Sequence, residues 1–266
     1  MSTPANGDSP AESERDDRLD GLFQLTHKIG NDPEFVILAE GNTSALLDDG
    51  TFLCTTSGSR LATVGERDVV RLRLAPLLDS VRQTGDCDVP SLMREARYDG
   101  GAGAAPSIET FVHVVCLGLG GGVFVAHTHP TQLLGLLCAP AAQQILTAGP
   151  LFPDEAVVCG RAPLYVDYHP PGIELGRALA ARMETYLQTY GEPPRVIFLA
   201  NHGLVAVGRS ASEALAITQM ATKAARVRAI ALVTGELRPL HAADVSGLVT
   251  RTDELDRREL LAREAT

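Results

Sequence analysis

Residues 123–130, Val-Phe-Val-Ala-His-Thr-His-Pro, combine a strand pattern with two histidines. A short run of β-branched and aromatic residues that ends at a proline predicts a buried β-strand. Because side chains alternate between the two faces of a strand, His127 and His129 project from the same face and can chelate one ion. The stretch therefore predicts a strand with a potential metal site at its end.

A second predicted strand, residues 195–200, leads to His202 and Gly203. His202 thus lies where a strand meets a loop, and it can converge on the first two histidines. Three nitrogen ligands with an open coordination position are typical of a catalytic metal ion, because substrate oxygen binds at the open position. The His-x-His spacing is not specific by itself, so hydrogen-bonded histidines at strand ends are an equally good interpretation.

A predicted helix begins at Pro106-Ser107, where Ser107 can cap it, and ends at the glycines of residues 118–122. Glu109 lies in its first turn, where a carboxylate interacts favourably with the helix dipole. The functional interpretation is a base that moves a proton on and off carbon, a role suited to a desolvated carboxylate near a cation. His113 shares this helix face, and we interpret it as a packing residue rather than a partner of the site.

Two turns rich in glycine and hydroxyl groups, residues 41–44 and 55–59, are candidates for anion binding. Backbone amides of such turns, together with the helix start at Ser107, can hold a phosphate or a carboxylate. The signal is weak because most turns contain small polar residues. Residues 118–122 do not form a dinucleotide-binding loop, because they follow a helix and precede a strand, the reverse of the required order.

Helices and strands are mixed along the whole chain. Further helices are predicted over residues 17–30, 172–190 and 211–234, a strand over 35–39, a hairpin around Asp48-Asp49-Gly50, and an irregular excursion with a short helix over 84–106. No change in composition marks a second domain, so we predict one domain over residues 17–266. Residues 1–16 are polar and acidic, which predicts a disordered tail.

The composition narrows the classes of function. The formal net charge of −10 argues against a nucleic-acid-binding surface, which needs a basic patch. Five scattered cysteines without a CxxC pair indicate free thiols in a reducing compartment. We see no signal peptide and no apolar run long enough to span a bilayer, so we expect a cytoplasmic protein that binds neither nucleic acid nor membrane.

Five motifs, taken in order, resemble the class II aldolase/adducin family over residues 20–235. They are Ala39-Glu40-Gly41-Asn42-Thr43-Ser44, Ser57-Gly58, Pro106-Ser107-Ile108-Glu109-Thr110, His127-Thr128-His129-Pro130 and Asn201-His202-Gly203-Leu204. The resemblance implies an α/β fold, a three-layer α/β/α sandwich around a largely antiparallel central sheet. It also implies a homotetramer with active sites at subunit boundaries.

The resemblance also implies a role for each motif residue. His127, His129 and His202 would bind one divalent metal ion per chain, zinc or alternatively manganese, iron or cobalt, and Glu109 would be the catalytic acid/base. Candidate ligands of the substrate phosphate are Asn42, Ser57, Gly58 and Ser107. The implied reaction is retro-aldol cleavage of a small ketose 1-phosphate. Related alternatives are a sugar-phosphate epimerase or dehydratase, and a different alternative is a non-catalytic adducin-like interaction module.

The sequence departs from the family pattern at two places. Ile108 stands where the small fuculose-phosphate aldolases have a second serine, which removes a hydroxyl group from the predicted anion site. Those enzymes also use a tyrosine near the C-terminus as an acid, whereas this chain has no tyrosine beyond Tyr190. Tyr165 or Tyr168 could substitute, although a partly buried tyrosine of the sheet explains either residue equally well.

Overall fold

A computed structural model describes residues 10–98 and 103–253, together with residues 256 and 260. The chain begins in a helix, α1, at Pro10–Gly30. Glu14 of this helix accepts a hydrogen bond from the backbone N–H of Asp48, 2.9 Å away, and pairs with Arg18 on the next turn. The disordered tail predicted for residues 1–16 differs from the structure over residues 10–16, which form the start of α1, while residues 1–9 lie outside the described residues.

Seven strands form a single sheet in the order β3-β2-β1-β4-β7-β6-β5. Their bounds are β1 Asn42–Leu46, β2 Thr51–Thr55, β3 Val69–Arg73, β4 Phe124–Thr128, β5 Leu164–Val166, β6 Val196–Leu199 and β7 Gly203–Gly208. Every neighbouring pair is antiparallel except β5 and β6, which are parallel. The predicted largely antiparallel sheet is confirmed.

Helices cover both faces of the sheet. After α1 they are α2 Leu74–Arg82, α3 Val89–Ala96, α4 Thr110–Gly118, α5 Thr131–Leu137, α6 Ala142–Leu146, α7 Pro153–Cys159, α8 Ile173–Tyr190, α9 Ala211–Thr234 and α10 Ala242–Thr250. Within the described part of the chain, none of the helices is long and apolar enough to cross a membrane. Short 3-10 turns lie at Leu61–Thr63 and Glu66–Asp68.

The central strand β4 shows how the two hydrophobic cores arise. Phe124 and Ala126 belong to the core under α1, α5 and α9, whereas Val125 belongs to the core under α2, α4 and α8. This alternation is the period of two expected of a strand with both faces buried. The predicted three-layer α/β/α sandwich is confirmed.

The predicted hairpin around Asp48-Asp49-Gly50 is confirmed as β1 and β2, but the strand predicted over residues 35–39 is wrong. That segment forms turns, and Leu38 has a positive φ of 56°. Phe35 and Val36 are buried in the core, while Leu38 is 79% exposed. The apolar side chains of Phe35 and Val36 anchor this turn to the core. The spacing of apolar residues in a short run cannot distinguish such a turn from a buried strand.

The helix predicted from Ser107 begins three residues later, at Thr110, and its N-cap is Glu109. The Ser107 carbonyl accepts hydrogen bonds from both the backbone N–H and the hydroxyl of Thr110. The Ser107 hydroxyl itself accepts from the N–H of Glu109 at 3.2 Å. Ser107 thus forms a turn before the helix, so its predicted capping position is wrong.

The predicted excursion over 84–106 contains α3, and its residues 99–102 lie outside the described residues.

A buried ion pair joins α7 to α9. Arg228 Nη1 lies 2.6 Å from Glu155 Oε1, and both side chains are almost fully buried. We expect Arg228→Met to destabilise the protein by about 3–5 kcal/mol, because Glu155 keeps an uncompensated buried charge. The double variant with Glu155→Gln should recover most of this loss, as measured by urea unfolding. Equal losses in the single and double variants would contradict this explanation.

Candidate metal centre

His127 lies near the end of β4 with its imidazole fully buried. Its Nδ1 atom is 2.9 Å from the carbonyl oxygen of Leu204, across the β4–β7 pair. Because a carbonyl oxygen only accepts hydrogen bonds, Nδ1 carries a hydrogen atom, and Nε2 is the nitrogen left for a metal ion. Nε2 faces the other histidines, so His127 is oriented as a metal ligand before any ion is bound.

His129 follows β4 directly, where its backbone N–H donates to the carbonyl of Phe35 at 2.9 Å. Its Nε2 lies 3.0 Å from His127 Nε2, and its Nδ1 lies 3.8 Å from Glu40 Oε1. A carboxylate beside the outer nitrogen of a metal-binding imidazole sets the orientation and basicity of the ring. The turns of residues 35–40 therefore hold the His129 backbone through Phe35 and bring Glu40 beside its ring.

His202 lies in the tight turn between β6 and β7. The backbone of Asn201 takes a left-handed conformation, with φ of 53°, and the His202 N–H donates to the carbonyl of Leu199. The ring centroid of His202 is 4.9 Å from that of His127 and 5.3 Å from that of His129. The structure thus brings together three imidazoles that are far apart in the sequence.

Glu109 joins the three histidines from the helical layer. Its Oε1 atom is 2.6 Å from His202 Nε2, and its Oε2 atom is 3.3 Å from His127 Nε2. Oε2 also accepts a hydrogen bond from Asn42 Nδ2 at 2.7 Å. The N-cap position of α4 therefore places a buried carboxylate against the imidazoles.

Burial and charge shift the protonation of the cluster in opposite directions. Burial raises the pKa of Glu109, but the charge and hydrogen bonds of His127 and His202 outweigh burial and hold this pKa well below its usual range. Burial, together with the charges of His127 and His202, lowers the pKa of His129 to about 3. Glu109 is therefore a carboxylate and His129 a neutral imidazole, the forms in which each can bind a cation.

The donor set fits a divalent cation. One ligand atom from each of Glu109, His127, His129 and His202 lies within 4.8 Å of the others. Two imidazole nitrogens at 3.0 Å repel one another through their lone pairs unless a proton or a cation lies between them. Nitrogen ligands with a carboxylate oxygen suit zinc and neighbouring first-row metals.

Two glycines allow the backbone to approach the imidazoles. A Cβ atom on Gly203 would lie 2.6 Å from both His129 Cδ2 and the Thr128 carbonyl oxygen. A Cβ atom on Gly41 would lie 2.6 Å from the His127 carbonyl oxygen, and Gly41 also has a positive φ of 73°. Any side chain at either position would displace the histidines.

The four candidate anion-binding residues fall into two groups. Asn42 and Ser107 are buried beside Glu109. Ser57 and Gly58 lie in an exposed turn, which is joined to the segment before Ser107 by the hydrogen bond from the Ser57 N–H to the Ala105 carbonyl. The turn and the buried pair thus flank the same stretch of chain.

Two features of the site were not found by reasoning from the sequence. Glu40 faces His129, which the motif alone does not indicate, and the buried His113 makes polar contacts, which differs from the predicted packing role. Tyr165, one of the two candidate acids, lies in β5, which is separated from β4 by two strands. Tyr165 is buried, as expected of a packing residue of the sheet, whereas Tyr168 is exposed.

The model of the family described as Class II Aldolase and Adducin N-terminal domain matches residues 21–229. The chain belongs to this family, which confirms the resemblance seen in the motifs. Among curated proteins it is similar to the 3-oxo-tetronate 4-phosphate decarboxylase of Pectobacterium atrosepticum, with 29% identity over 177 residues. That alignment covers 64% of this chain and 65% of the relative, so the chain spans just under two thirds of the relative's length.

Solved structures show the same fold. The putative aldolase/epimerase/decarboxylase YgbL from Klebsiella pneumoniae superposes with a TM-score of 0.64 at 22% identity, covering 91% of this chain and all of that one (100%). An L-fuculose 1-phosphate aldolase superposes with a TM-score of 0.66 at 18% identity, covering 88% of this chain and 94% of that one. The three-layer architecture is therefore that of class II aldolases.

We expect Gly203→Ala to reduce the affinity for zinc roughly tenfold or more, because the added methyl group displaces His129 and the Thr128 carbonyl. Isothermal titration of the metal-stripped protein with Zn²⁺ measures the change. Gly135→Ala is the matched control, because its Cβ meets nothing within 4 Å. Equal affinities in the two variants would show that the close approach at Gly203 does not support the site.

Proposed function

We propose that the protein is a metal-dependent lyase that breaks a carbon–carbon bond beside a carbonyl group in a small sugar-phosphate-like substrate. The observation that carries this proposal is the buried cluster of three imidazoles and one carboxylate within 4.8 Å, in a chain of the class II aldolase family. A structural role alone does not account for a carboxylate and three imidazoles gathered at the end of two strands.

His127, His129 and His202 would hold the divalent cation. When bound, such a cation supplies Lewis-acid polarisation of a carbonyl oxygen and the neighbouring hydroxyl. Zinc is our first choice because nitrogen ligands dominate the donor set, and manganese, iron and cobalt are alternatives. The backbone carbonyl of Leu204 orients the His127 ring by a hydrogen bond, and the Glu40 carboxylate lies 3.8 Å from the outer nitrogen of His129.

Glu109 is our proposed proton-transfer residue. In a retro-aldol cleavage of a ketose 1-phosphate, the carbon–carbon bond breaks and its electron pair stays on the carbon next to the carbonyl. The hydroxyl of the departing fragment gives its proton to the Glu109 carboxylate and becomes an aldehyde. Glu109 then delivers a proton to the carbon that received the electron pair, which its place beside the imidazoles favours.

A second candidate reaction is decarboxylation of a phosphorylated 3-oxo acid. The similarity to the 3-oxo-tetronate 4-phosphate decarboxylase favours it. Here carbon dioxide leaves instead of an aldehyde, and the electron pair again stays on the carbon next to the carbonyl. The two reactions need the same polarised carbonyl and the same protonation of carbon, so one site suits both.

Epimerase and dehydratase activities are further alternatives on the same site, since each also begins at a carbon next to a polarised carbonyl. The non-catalytic adducin-like module has the least support, because all three histidines and Glu109 are present and converge. For the substrate phosphate we propose Ser107 with the turn at Ser57 and Gly58 as the binding region. Hydroxyl groups and exposed backbone amides of this kind suit an anion.

We also propose a single catalytic domain that acts as a homotetramer in the cytoplasm. Two cores on one shared sheet support the single domain. The five cysteines are free, as suits a reducing compartment. Near the metal centre Ile37, Leu38 and Ile108 are 53%, 79% and 62% exposed, and exposed apolar groups of this kind are typical of subunit contacts.

With zinc or manganese bound, we expect the protein to release dihydroxyacetone phosphate from a ketose 1-phosphate or carbon dioxide from 3-oxo-tetronate 4-phosphate. Glu109→Gln should lower kcat by roughly 10²–10⁴-fold, because the amide cannot transfer the proton. Coupled assays for each product make the measurement. Glu184→Gln on the exposed face of α8 is the matched control and should keep full activity.

Two results would contradict the proposed function. The first is that neither product forms from a panel of these substrates, although metal analysis shows about one ion per chain. The second is full activity in the Glu109→Gln variant. Interconversion of sugar phosphates or loss of water without cleavage would assign the site to the epimerase or dehydratase alternative instead.

A further inference from the structure

A continuous line of buried polar side chains runs from the sheet to Glu109. Ser44 Oγ lies 2.7 Å from His113 Nδ1, and His113 Nε2 lies 2.5 Å from Asn42 Oδ1. Asn42 Nδ2 in turn lies 2.7 Å from Glu109 Oε2. Ser44 and His113 are fully buried, and Asn42 is nearly so. Buried polar groups of this kind are costly unless each finds a partner.

The chemistry of Glu109 fixes the direction of the hydrogen bonds from His113 to Asn42 and from Asn42 to Glu109. A carboxylate only accepts, so the Asn42 atom beside it is the amide nitrogen and the opposite atom is the amide oxygen. An amide oxygen also only accepts, so His113 Nε2 carries a hydrogen atom and donates it. The remaining nitrogen, Nδ1, accepts from the hydroxyl of Ser44.

A neutral imidazole satisfies both contacts of His113. Its Nε2–H donates to Asn42, and its Nδ1 accepts from the Ser44 hydroxyl. Burial, with the nearby charge of His127, lowers the pKa of His113 to about 3, although the carboxylate of Glu109 acts in the opposite direction. The ring therefore stays neutral at physiological pH.

We propose that His113 is a positioning residue: its imidazole fixes the amide of Asn42, and this amide holds the carboxylate of Glu109 against the ligand histidines. Ser44 supports this arrangement by giving the buried Nδ1 of His113 a hydrogen-bond partner. Glu109 Oε2 is held by Asn42, and Oε1 faces His202. A carboxylate with one oxygen held in this way has a defined direction in which to exchange a proton.

The same contacts assign Asn42 a role different from the one implied by the family resemblance. Asn42 Nδ2 donates one hydrogen to Glu109 Oε2 and the other to Ser107 Oγ, 3.1 Å away. Both amide hydrogens are used, so the side chain has no donor left for a substrate phosphate. Ser107 Oγ accepts from Asn42 and from the Glu109 N–H, and so it keeps its own hydroxyl hydrogen for an anion.

The structural part of this proposal can be tested without any substrate. Long-range ¹H–¹⁵N spectra of the zinc-loaded protein with ¹⁵N-labelled histidine report which imidazole nitrogen carries the hydrogen. We expect His113 to be neutral and protonated at Nε2 between pH 6 and 8, and Asn42→Ala to shift its Nε2–H signal. A signal protonated at Nδ1, or one unchanged by Asn42→Ala, would overturn the proposal.

The kinetic part rests on the proposed function and uses paired variants. His113→Leu removes the donor to Asn42, whereas His113→Gln keeps an N–H donor near the position of Nε2. We expect His113→Leu to lower kcat ten- to a hundredfold with little change in KM, and His113→Gln to recover most of this loss. Val115→Ala, a core truncation on the same helix that is buried in the apolar cluster, is the control for destabilisation and should keep kcat.

The outcomes separate this proposal from the proposed function. If neither lyase product forms while the His113 spectrum is as expected, the proposed function fails and the positioning role stands. If the protein is active but His113→Leu behaves like Val115→Ala, the positioning role fails. Should His113→Leu not fold, Ser44→Ala provides the test, because loss of the hydroxyl should shift the ¹⁵N signal of His113 Nδ1 while Nε2 stays protonated through Asn42. An unchanged Nδ1 signal, or a move of the hydrogen atom to Nδ1, would count against the proposal.

Discussion

The pairing of β4 with β7 is the constraint on which the rest of the site depends. Their antiparallel register sets His127 opposite Val205 and Thr128 opposite Leu204. In this register the Leu204 carbonyl fixes the tautomer of His127, and the turn that carries His202 comes beside the end of β4. A shift of one residue would turn each side chain to the other face of the sheet and separate the imidazoles. The backbone ladder therefore determines the metal centre as directly as the histidines do.

The neighbouring pair of β1 with β4 extends the same constraint to the carboxylate. Asn42 lies opposite His127 in this ladder, so the residue that holds Glu109 and one of the residues that would hold the metal are fixed by one pair of strands. Glu109 itself comes from the helical layer, at the N-cap of α4. The site thus lies where strand ends meet a helix start, and its donor groups are positioned by three separate elements. Such rigid support is what a proton transfer at carbon requires.

Electrostatics explain why the cluster needs each of its members. Burial lowers the pKa of His129, whereas at His127 burial is outweighed by the Glu109 carboxylate, which raises the pKa of the imidazole. A bound cation would satisfy the same nitrogens and the same carboxylate together. His113 is buried outside this cluster. Its hydrogen bonds with Ser44 and Asn42 link the polar interior of the sheet to Glu109. The polar core and the proposed catalytic group are therefore parts of one hydrogen-bond network.

The sequence by itself determined the longer helices, the central strand before His129 and the residue types of the site, because hydrophobic period and strand-end histidines are local features. The three-layer arrangement followed only from the family resemblance of the motifs. It also indicated the family, since several short motifs occurred in one order. Local pattern could not show that residues 35–39 form a turn beneath His129, or that α4 begins at Thr110 with Glu109 as its cap. Nor could it show that His113 faces Asn42 and Ser44, because a buried histidine in an apolar helix has the same pattern whether it packs or donates. Only the tertiary structure decided these points, because each depends on a partner supplied by a distant part of the chain.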